Sequence, residues 1–205
     1  MVSISNELIG TFRRKPKNYV SILNCPEDCP INKSTESENQ NKFTIAFKGH
    51  TRRNRRLESL VAAIKDLKAV NLVLTGRVED NELLNEIQTI SDVKYSGFLE
   101  HSEILMIETS TDAMAALYNL EAYAQNKYVM GNKLFEAMMR GVPIITNVAT
   151  EIVNETQRGI TVDYNNIEQI KEVLANLRDN PELRNCSRFT MLCLGKDRSK
   201  QNPYL

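Results

Sequence analysis

Phe43-Thr44-Ile45-Ala46-Phe47-Lys48-Gly49 is the stretch on which the fold turns. Residues Phe43 to Phe47 form a compact apolar run that reads as a buried strand, and Gly49 closes it. Just beyond, Leu57, Leu60, Val61, Ile64 and Leu67 recur at helical spacing and define one apolar face. Asn71-Leu72-Val73-Leu74-Thr75 is the next strand, closed in turn by Gly76. Strand, amphipathic helix and strand make one unit of a parallel sheet.

The pattern repeats toward the carboxyl end. Leu83, Leu84, Ile87 and Ile90 mark a second helix, Val93-Lys94-Tyr95-Ser96 a short strand, His101–Glu108 a brief helix, and Ala113 to Tyr118 a strand. The helix Lys133–Arg140 stops at Gly141, and Pro143 prevents it from continuing. Strands follow at Val142–Thr146 and Gly159–Val162, then a helix with Ile167, Ile170, Val173, Leu174 and Leu177 on one side. The expected fold is a Rossmann-like α/β domain: a parallel sheet with helices on both faces, its ligand beyond the carboxyl ends of the strands. Upstream, residues 32–42 are wholly polar and read as a linker. Before it a helix around Asn6–Arg14 and a strand Tyr19–Leu23 are expected.

Composition narrows the function classes. At 205 residues the chain is one ordinary domain, or a domain plus a fragment, at roughly 100–200 residues per domain. Lys and Arg number 26, Asp and Glu 26, and this zero net charge argues against a general nucleic-acid binder. No apolar run approaches the roughly 20 residues that span a bilayer. The start, Met1-Val2-Ser3-Ile4-Ser5-Asn6, has no basic region followed by an apolar stretch, so the expected location is the cytoplasm. Cys25, Cys29, Cys186 and Cys193 lie apart from the two histidines, His50 and His101, so free thiols are expected rather than a metal site.

Two stretches have the residue types for chemistry. In Lys48-Gly49-His50-Thr51-Arg52-Arg53-Asn54-Arg55-Arg56-Leu57 a glycine and a helix start follow a strand, where backbone N–H groups and the helix dipole favour phosphate. Arginine adds bidentate charge-assisted bonds. The same residues also read as a solvated basic loop. A nucleic-acid patch is a third reading, weakened by the lack of interleaved aromatics. Neither G-x-G-x-x-G nor a P-loop lysine motif occurs. In Gly131-Asn132-Lys133-Leu134-Phe135-Glu136-Ala137-Met138-Met139-Arg140-Gly141-Val142-Pro143, Asn132 is the expected N-cap, and Lys133 and Glu136 share the first turn facing the strand ends. A carboxylate can accept both hydroxyls of a ribose, while an amide and an ammonium at a helix start can hold phosphate.

On these motifs the stretch from about Met1 to Leu183 resembles the carboxyl-terminal, donor-binding half of a retaining glycosyltransferase of family 4, with the GT-B fold. Gly49 and Arg55 stand where that family has a strand-ending glycine and a later basic residue. Arg55-Arg56-Leu57-Glu58 resembles its Arg-Gly-Leu-Glu variant. Asn132-Lys133-Leu134-Phe135-Glu136-Ala137-Met138 with Gly141-Val142-Pro143 resembles its donor-binding helix and following strand, and Asn24-Cys25-Pro26 the crossing between its domains.

The resemblance implies roles for individual residues. Arg55 would bind the donor diphosphate; Asn132, Lys133 and Leu134 would hold phosphate at the helix start; Glu136 would bind the ribose hydroxyls; Gly97-Phe98 would pass the nucleobase. It implies a nucleotide-diphosphate sugar as ligand, no cofactor or metal, and an amino-terminal acceptor domain that a separate chain could supply. Three positions depart from the family pattern: Tyr128 replaces a sugar-contacting Glu, His50 a common Arg, and Arg56 a glycine. The expected organisation is residues 1–31 as a remnant of the first domain and crossover, 32–42 as linker, 43–183 as the nucleotide-sugar domain and 184–205 as an irregular tail. The leading expectation is hexosyl transfer to a saccharide or lipid-linked acceptor with retention; no nucleophile or general base is visible. A non-catalytic nucleotide-binding relic, or one partner of a split enzyme, is the rival.

Overall fold

The computed structural model describes residues 2–3, 13–14, 16–18, 20–21, 42–122, 126, 128–129 and 131–184. Strands β1 (Val2–Ser3) and β2 (Val20–Ser21) form a small parallel pair. The main body runs β3 (Phe43–Lys48), α1 (Leu57–Lys65), β4 (Val70–Thr75), α2 (Asn81–Gln88), β5 (Val93–Tyr95), α3 (His101–Ser110), β6 (Ala113–Ala116), α4 (Asn132–Arg140), β7 (Ile144–Thr146), α5 (Thr150–Thr156), β8 (Gly159–Thr161) and α6 (Ile167–Asp179).

The six strands β3–β8 form one parallel sheet in the spatial order β5-β4-β3-β6-β7-β8. Counted from β3 this is 3-2-1-4-5-6, the Rossmann order, which confirms the expected α/β class. The sheet grows outward in both directions from the seam between β3 and β6. β3 pairs with β4 along its whole length, from Phe43 opposite Val70 to Lys48 opposite Thr75. Against β6 it pairs only at Ile45–Ala113 and Ala46–Met114. Both strands then run two residues further, to Lys48 and Ala116, without pairing, so the chain segments leaving β3 and β6 diverge. Such a switch point is where an open parallel sheet forms a crevice.

Period-two alternation divides the core. Ile45 and Phe47 of β3, Leu72 and Leu74 of β4, and Ala113 and Ala115 of β6 face a cluster closed by Leu57, Leu60 and Ile64 of α1, Leu83 and Ile87 of α2, and Ile170, Leu174 and Leu177 of α6. Ala46, Met114 and Ala116 face the other way, against Leu134, Phe135, Ala137 and Met138 of α4 and Val153 of α5. Each fully buried Leu or Ile in these layers contributes about 1.5–3 kcal/mol. Both faces are thus covered by helices, as the alternating pattern requires.

Several boundaries differ from expectation. The strand expected to Tyr118 ends at Ala116, because the Tyr118 amide is bonded to the Asn147 side chain instead of a neighbouring strand. Gly131, not Asn132, is the N-cap of α4: its φ of −74° and ψ of 155° are extended, and its carbonyl accepts the Leu134 N–H at 3.0 Å. The Tyr118 hydroxyl lies 3.2 Å from where a Gly131 Cβ would stand, so the bare glycine suits this close approach. α4 does end at Gly141, whose φ of 62° lets its N–H reach the last-turn carbonyls. α5 was not expected from the sequence. Its N-cap, Ala149, has φ 52° and gives no side-chain cap, so no local signal marks the helix start. Residues 6–12 of the expected first helix, most of the expected strand at 19–23, residues 32–41 of the linker, and all four cysteines lie outside the described residues.

Candidate functional site

At the β3–β6 seam lies an open cleft of about 380 Å³. One wall comes from the end of β3 and the turn after it: Lys48, Gly49, Arg52 and Arg55. Tyr118, Asn126 and Val129 line it from the connection after β6, and Gly131, Asn132, Lys133 and Glu136 from the start of α4. Two motifs more than 70 residues apart in sequence thus meet across one opening.

Glycine chemistry explains how closely they meet. Gly49 has φ 141°, and a Cβ there would stand 2.6 Å from the Lys133 Nζ. Gly76, at the end of β4, has φ 126°, and its Cβ would stand 2.2 Å from the Gly49 carbonyl oxygen. Gly76 has no room for a side chain, while a Cβ at Gly49 would displace the tip of Lys133, so the bare glycine there lets the Lys133 ammonium reach the end of β3. The ladder continues past the strands, with Gly49 N–H donating to Thr75 O and Thr51 N–H to Arg77 O, both at 2.8 Å. A 3₁₀ turn, Arg53–Arg55, then leads through Arg56 at φ 48° into α1. Arg56 occupies, in the left-handed region, the place where the resemblance has glycine, at about 1–2 kcal/mol of backbone strain. Its guanidinium stacks 4.6 Å from the Tyr164 ring centroid and lies 3.5 Å from Glu121.

The basic turn is largely neutralised from within the fold. Arg52 pairs with Glu79 at 3.1 Å, and Arg53 with Asp80 and Glu86, each at 3.2 Å. His50 also contacts Glu79. Arg55 differs: among the described residues it makes no ion pair, and its guanidinium lies over the Tyr118 ring, 4.5 Å from the centroid. Tyr118 is buried and clamped by Asn147, which accepts its amide at 2.8 Å and donates to its carbonyl at 2.7 Å. Arg55 thus rests on a rigid aromatic support while facing the cleft.

Lys133 is half-buried, with its Nζ 4.9 Å from the Phe47 ring centroid and no ion pair among the described residues. Burial, reinforced by the charges of Arg55 and Lys48, pushes its pKa down to about 7. Glu136 is buried, its Oε2 2.8 Å from the Lys48 Nζ. Lys48 also lies 3.3 Å from Oε1 of Glu108, whose Oε2 is 2.8 Å from Arg140 Nη1. Burial raises the Glu108 pKa against the opposing pull of Lys48 and Arg140. This arrangement offers an anion cationic groups and a helix N-terminus, and offers hydroxyls a carboxylate within the same cleft.

Of the residues expected at the site, Gly49, Arg55, Asn132, Lys133 and Glu136 converge on the cleft. Leu134, next after Lys133, turns inward; its side chain is buried and its N–H is taken by the Gly131 carbonyl. Phe98 does not line the cleft. It is 66% exposed beyond β5, with the Arg77 guanidinium 5.2 Å from its ring centroid. Lys48, Glu108, Tyr118 and Arg140 were not among the expected site residues. Glu108 had one visible signal: a carboxylate directly after the apolar run Ile104-Leu105-Met106-Ile107. Among the described residues no three metal-binding side chains cluster, and no helix is long and apolar enough to cross a membrane.

The fold has solved counterparts. HepE from Anabaena, in complex with UDP and glucose, superposes with a TM-score of 0.75 at 16% identity, covering 94% of this chain and 57% of that one. S. aureus TarM, in a complex that includes UDP, gives 0.70 at 13%, covering 98% and 41%. The C-terminal domain of the group 1 family glycosyl transferase LpcC from Francisella tularensis gives 0.61 at 19%, covering 78% and 87%. The chain therefore spans about two fifths of TarM and under three fifths of HepE, yet most of the isolated LpcC domain. These likenesses establish a GT-B carboxyl-terminal type of fold. No curated protein sequence matches the chain. The model of the family described as glycosyl transferases group 1 matches residues 30–188, more than three quarters of the sequence, and the chain belongs to that family.

Proposed function

We propose that this domain holds the nucleoside diphosphate of an activated sugar in the cleft at the β3–β6 seam. The observation that carries the reading is the approach of the Lys133 ammonium to Gly49, beside an Arg55 free of ion pairs among the described residues. That contact brings two motifs of the resemblance together at one helix N-terminus. Arg55 and Lys133 bind the diphosphate, with the amides at the start of α4. Glu136 accepts ribose hydroxyls. In the complete reaction a hexosyl group passes to a saccharide or lipid-linked acceptor with retention of configuration, in the cytoplasm. The same cations and the helix dipole stabilise charge developing on the leaving diphosphate, where fixed electrostatics act most strongly. An acceptor domain completes the catalytic surface.

Calorimetry of the purified chain with UDP, GDP and dTDP tests the site. Binding of at least one is expected, weakened at least tenfold by Arg55→Ala and by Lys133→Ala. Unchanged affinity in both variants means the diphosphate lies elsewhere. A second reading, a non-catalytic nucleotide-binding module or one half of a split enzyme, draws support from Tyr128, which stands where the resemblance has a sugar-contacting Glu. Donor turnover by this chain alone would eliminate it.

A further inference from the structure

Lys48 is the last residue of β3, and its ammonium sits between two carboxylates. Toward Glu136 it makes an aligned hydrogen bond at 2.8 Å; toward Glu108 it has an ion-pair contact at 3.3 Å. Glu108 is fully buried, and neither of its oxygens makes an aligned hydrogen bond, so its neighbours Lys48 and Arg140 hold it by charge. Arg140 in turn donates to the Glu136 carbonyl at 3.3 Å, one helical turn back along α4. The four side chains form a charge-balanced line, Arg140–Glu108–Lys48–Glu136, of which Lys48 and Glu136 line the cleft.

We propose that Lys48 is a positioning residue for Glu136, pinning Oε2 so that the rest of the carboxylate is aimed at the donor ribose, while Glu108, backed by Arg140, holds Lys48 in place. The inference rests on the reading that Glu136 takes the ribose hydroxyls. An ionised carboxylate has about four lone-pair sites, so one bond to Lys48 leaves enough for a vicinal diol. A free glutamate must be ordered at each binding event; one already pinned to a strand end loses less freedom when the hydroxyls arrive. Glu108 has a matching purpose. Without it, Lys48 and Arg140 would share the buried region with only Glu136 to neutralise them.

The test is calorimetry on the full chain with UDP, GDP and their 2′-deoxy counterparts. The ratio of ribo to deoxyribo affinity cancels any charge loss felt equally by both diphosphates. In the unsubstituted chain the better-bound base should prefer ribose by about tenfold, the scale of one hydrogen bond to a charged group. Glu136→Ala should abolish the preference, and Lys48→Met should reduce it to under threefold. Lys48→Arg should recover part of it, and Glu108→Gln should fall between. If Lys48→Met does not fold by circular dichroism, Lys48→Gln, which keeps the length and polarity, carries the same expectation. A ribose preference that Glu136→Ala removes but folded Lys48 variants retain overturns the role of Lys48 alone. No ribose preference in the unsubstituted chain, or no diphosphate binding, overturns the reading of Glu136 and this inference with it.

Discussion

Two basic regions border the cleft, the turn at residues 52–56 and the start of α4, and they use charge differently. The turn has four arginines in five positions, yet Arg52, Arg53 and Arg56 are each matched to a carboxylate supplied by another part of the chain. α4 contributes a single ammonium, Lys133, with no ion pair among the described residues and a depressed pKa. The richer cluster therefore offers the cleft little more than the single lysine does. Charge density along a sequence overstates a binding site wherever the fold returns acidic groups to it, and Glu79, Asp80, Glu86 and Glu121 do so here.

The largest effect should come from breaking the backbone junction beneath both regions. Gly76→Ala would force a Cβ against the Gly49 carbonyl at a φ of 126°, at a cost of about 3 kcal/mol or more in denaturant melts. A variant as stable as the parent would mean that β3 and β4 do not approach as closely as described.

Next in size is the contrast itself. Lys133→Ala and Arg55→Ala should each cost about 1.5–3 kcal/mol in nucleoside diphosphate binding, the range for hydrogen bonds to charged groups. Arg53→Ala, which removes the ion pairs to Asp80 and Glu86 outside the cleft lining, should cost less than about 1 kcal/mol. Equal losses at Arg53 and Arg55 would abolish the distinction between matched and available arginines.

The pH dependence should separate the two regions further, because arginines do not titrate in this range. With the Lys133 pKa near 7, the free site is increasingly neutral above that pH, and a bound diphosphate draws the proton back. Affinity should fall as pH rises above about 7, at most about tenfold per unit for one proton, and this fall should vanish in Lys133→Met. The contribution of Lys133 to stability has the opposite sign. Between the folded pKa near 7 and the ordinary lysine value near 10.4, the unfolded chain binds more protons, so this contribution rises with pH across that window. Melts of Lys133→Met against the parent across this window should show that slope removed.

The smallest expected effect is at Arg56. Arg56→Gly relieves a left-handed backbone but removes the Tyr164 stacking and the Glu121 pair, so the net change should stay within about 1 kcal/mol. A destabilisation clearly above that would show that the side-chain contacts of Arg56 outweigh its backbone strain.

Much of the fold was legible because it rests on local patterns. β3, β4 and α1 were marked by apolar runs and helical spacing, and the end of α4 by Gly141 and Pro143. α5 was not legible, since Ala149 adopts positive φ under tertiary constraint and caps nothing with its side chain. Asn132 has good N-cap chemistry, yet the position went to Gly131, where the Tyr118 hydroxyl crowds the backbone. Five of the expected site residues met because each sat at a strand end or helix start, which the topology gathers on one edge. Phe98 sits at such an end too, but on β5, two strands away from the seam.

The strand–helix alternation, the glycines that end β3 and β4, and the charged and amide residues of the two motifs could all be read along the chain. Those depend on periodicity and side-chain chemistry, which neighbours along the chain express. Which cations are matched, the support of Arg55 by Tyr118, and the link through Lys48 from Glu136 to the buried Glu108 and Arg140 emerged from the folded packing. Such choices depend on distances between residues up to 88 positions apart, and no local pattern encodes them.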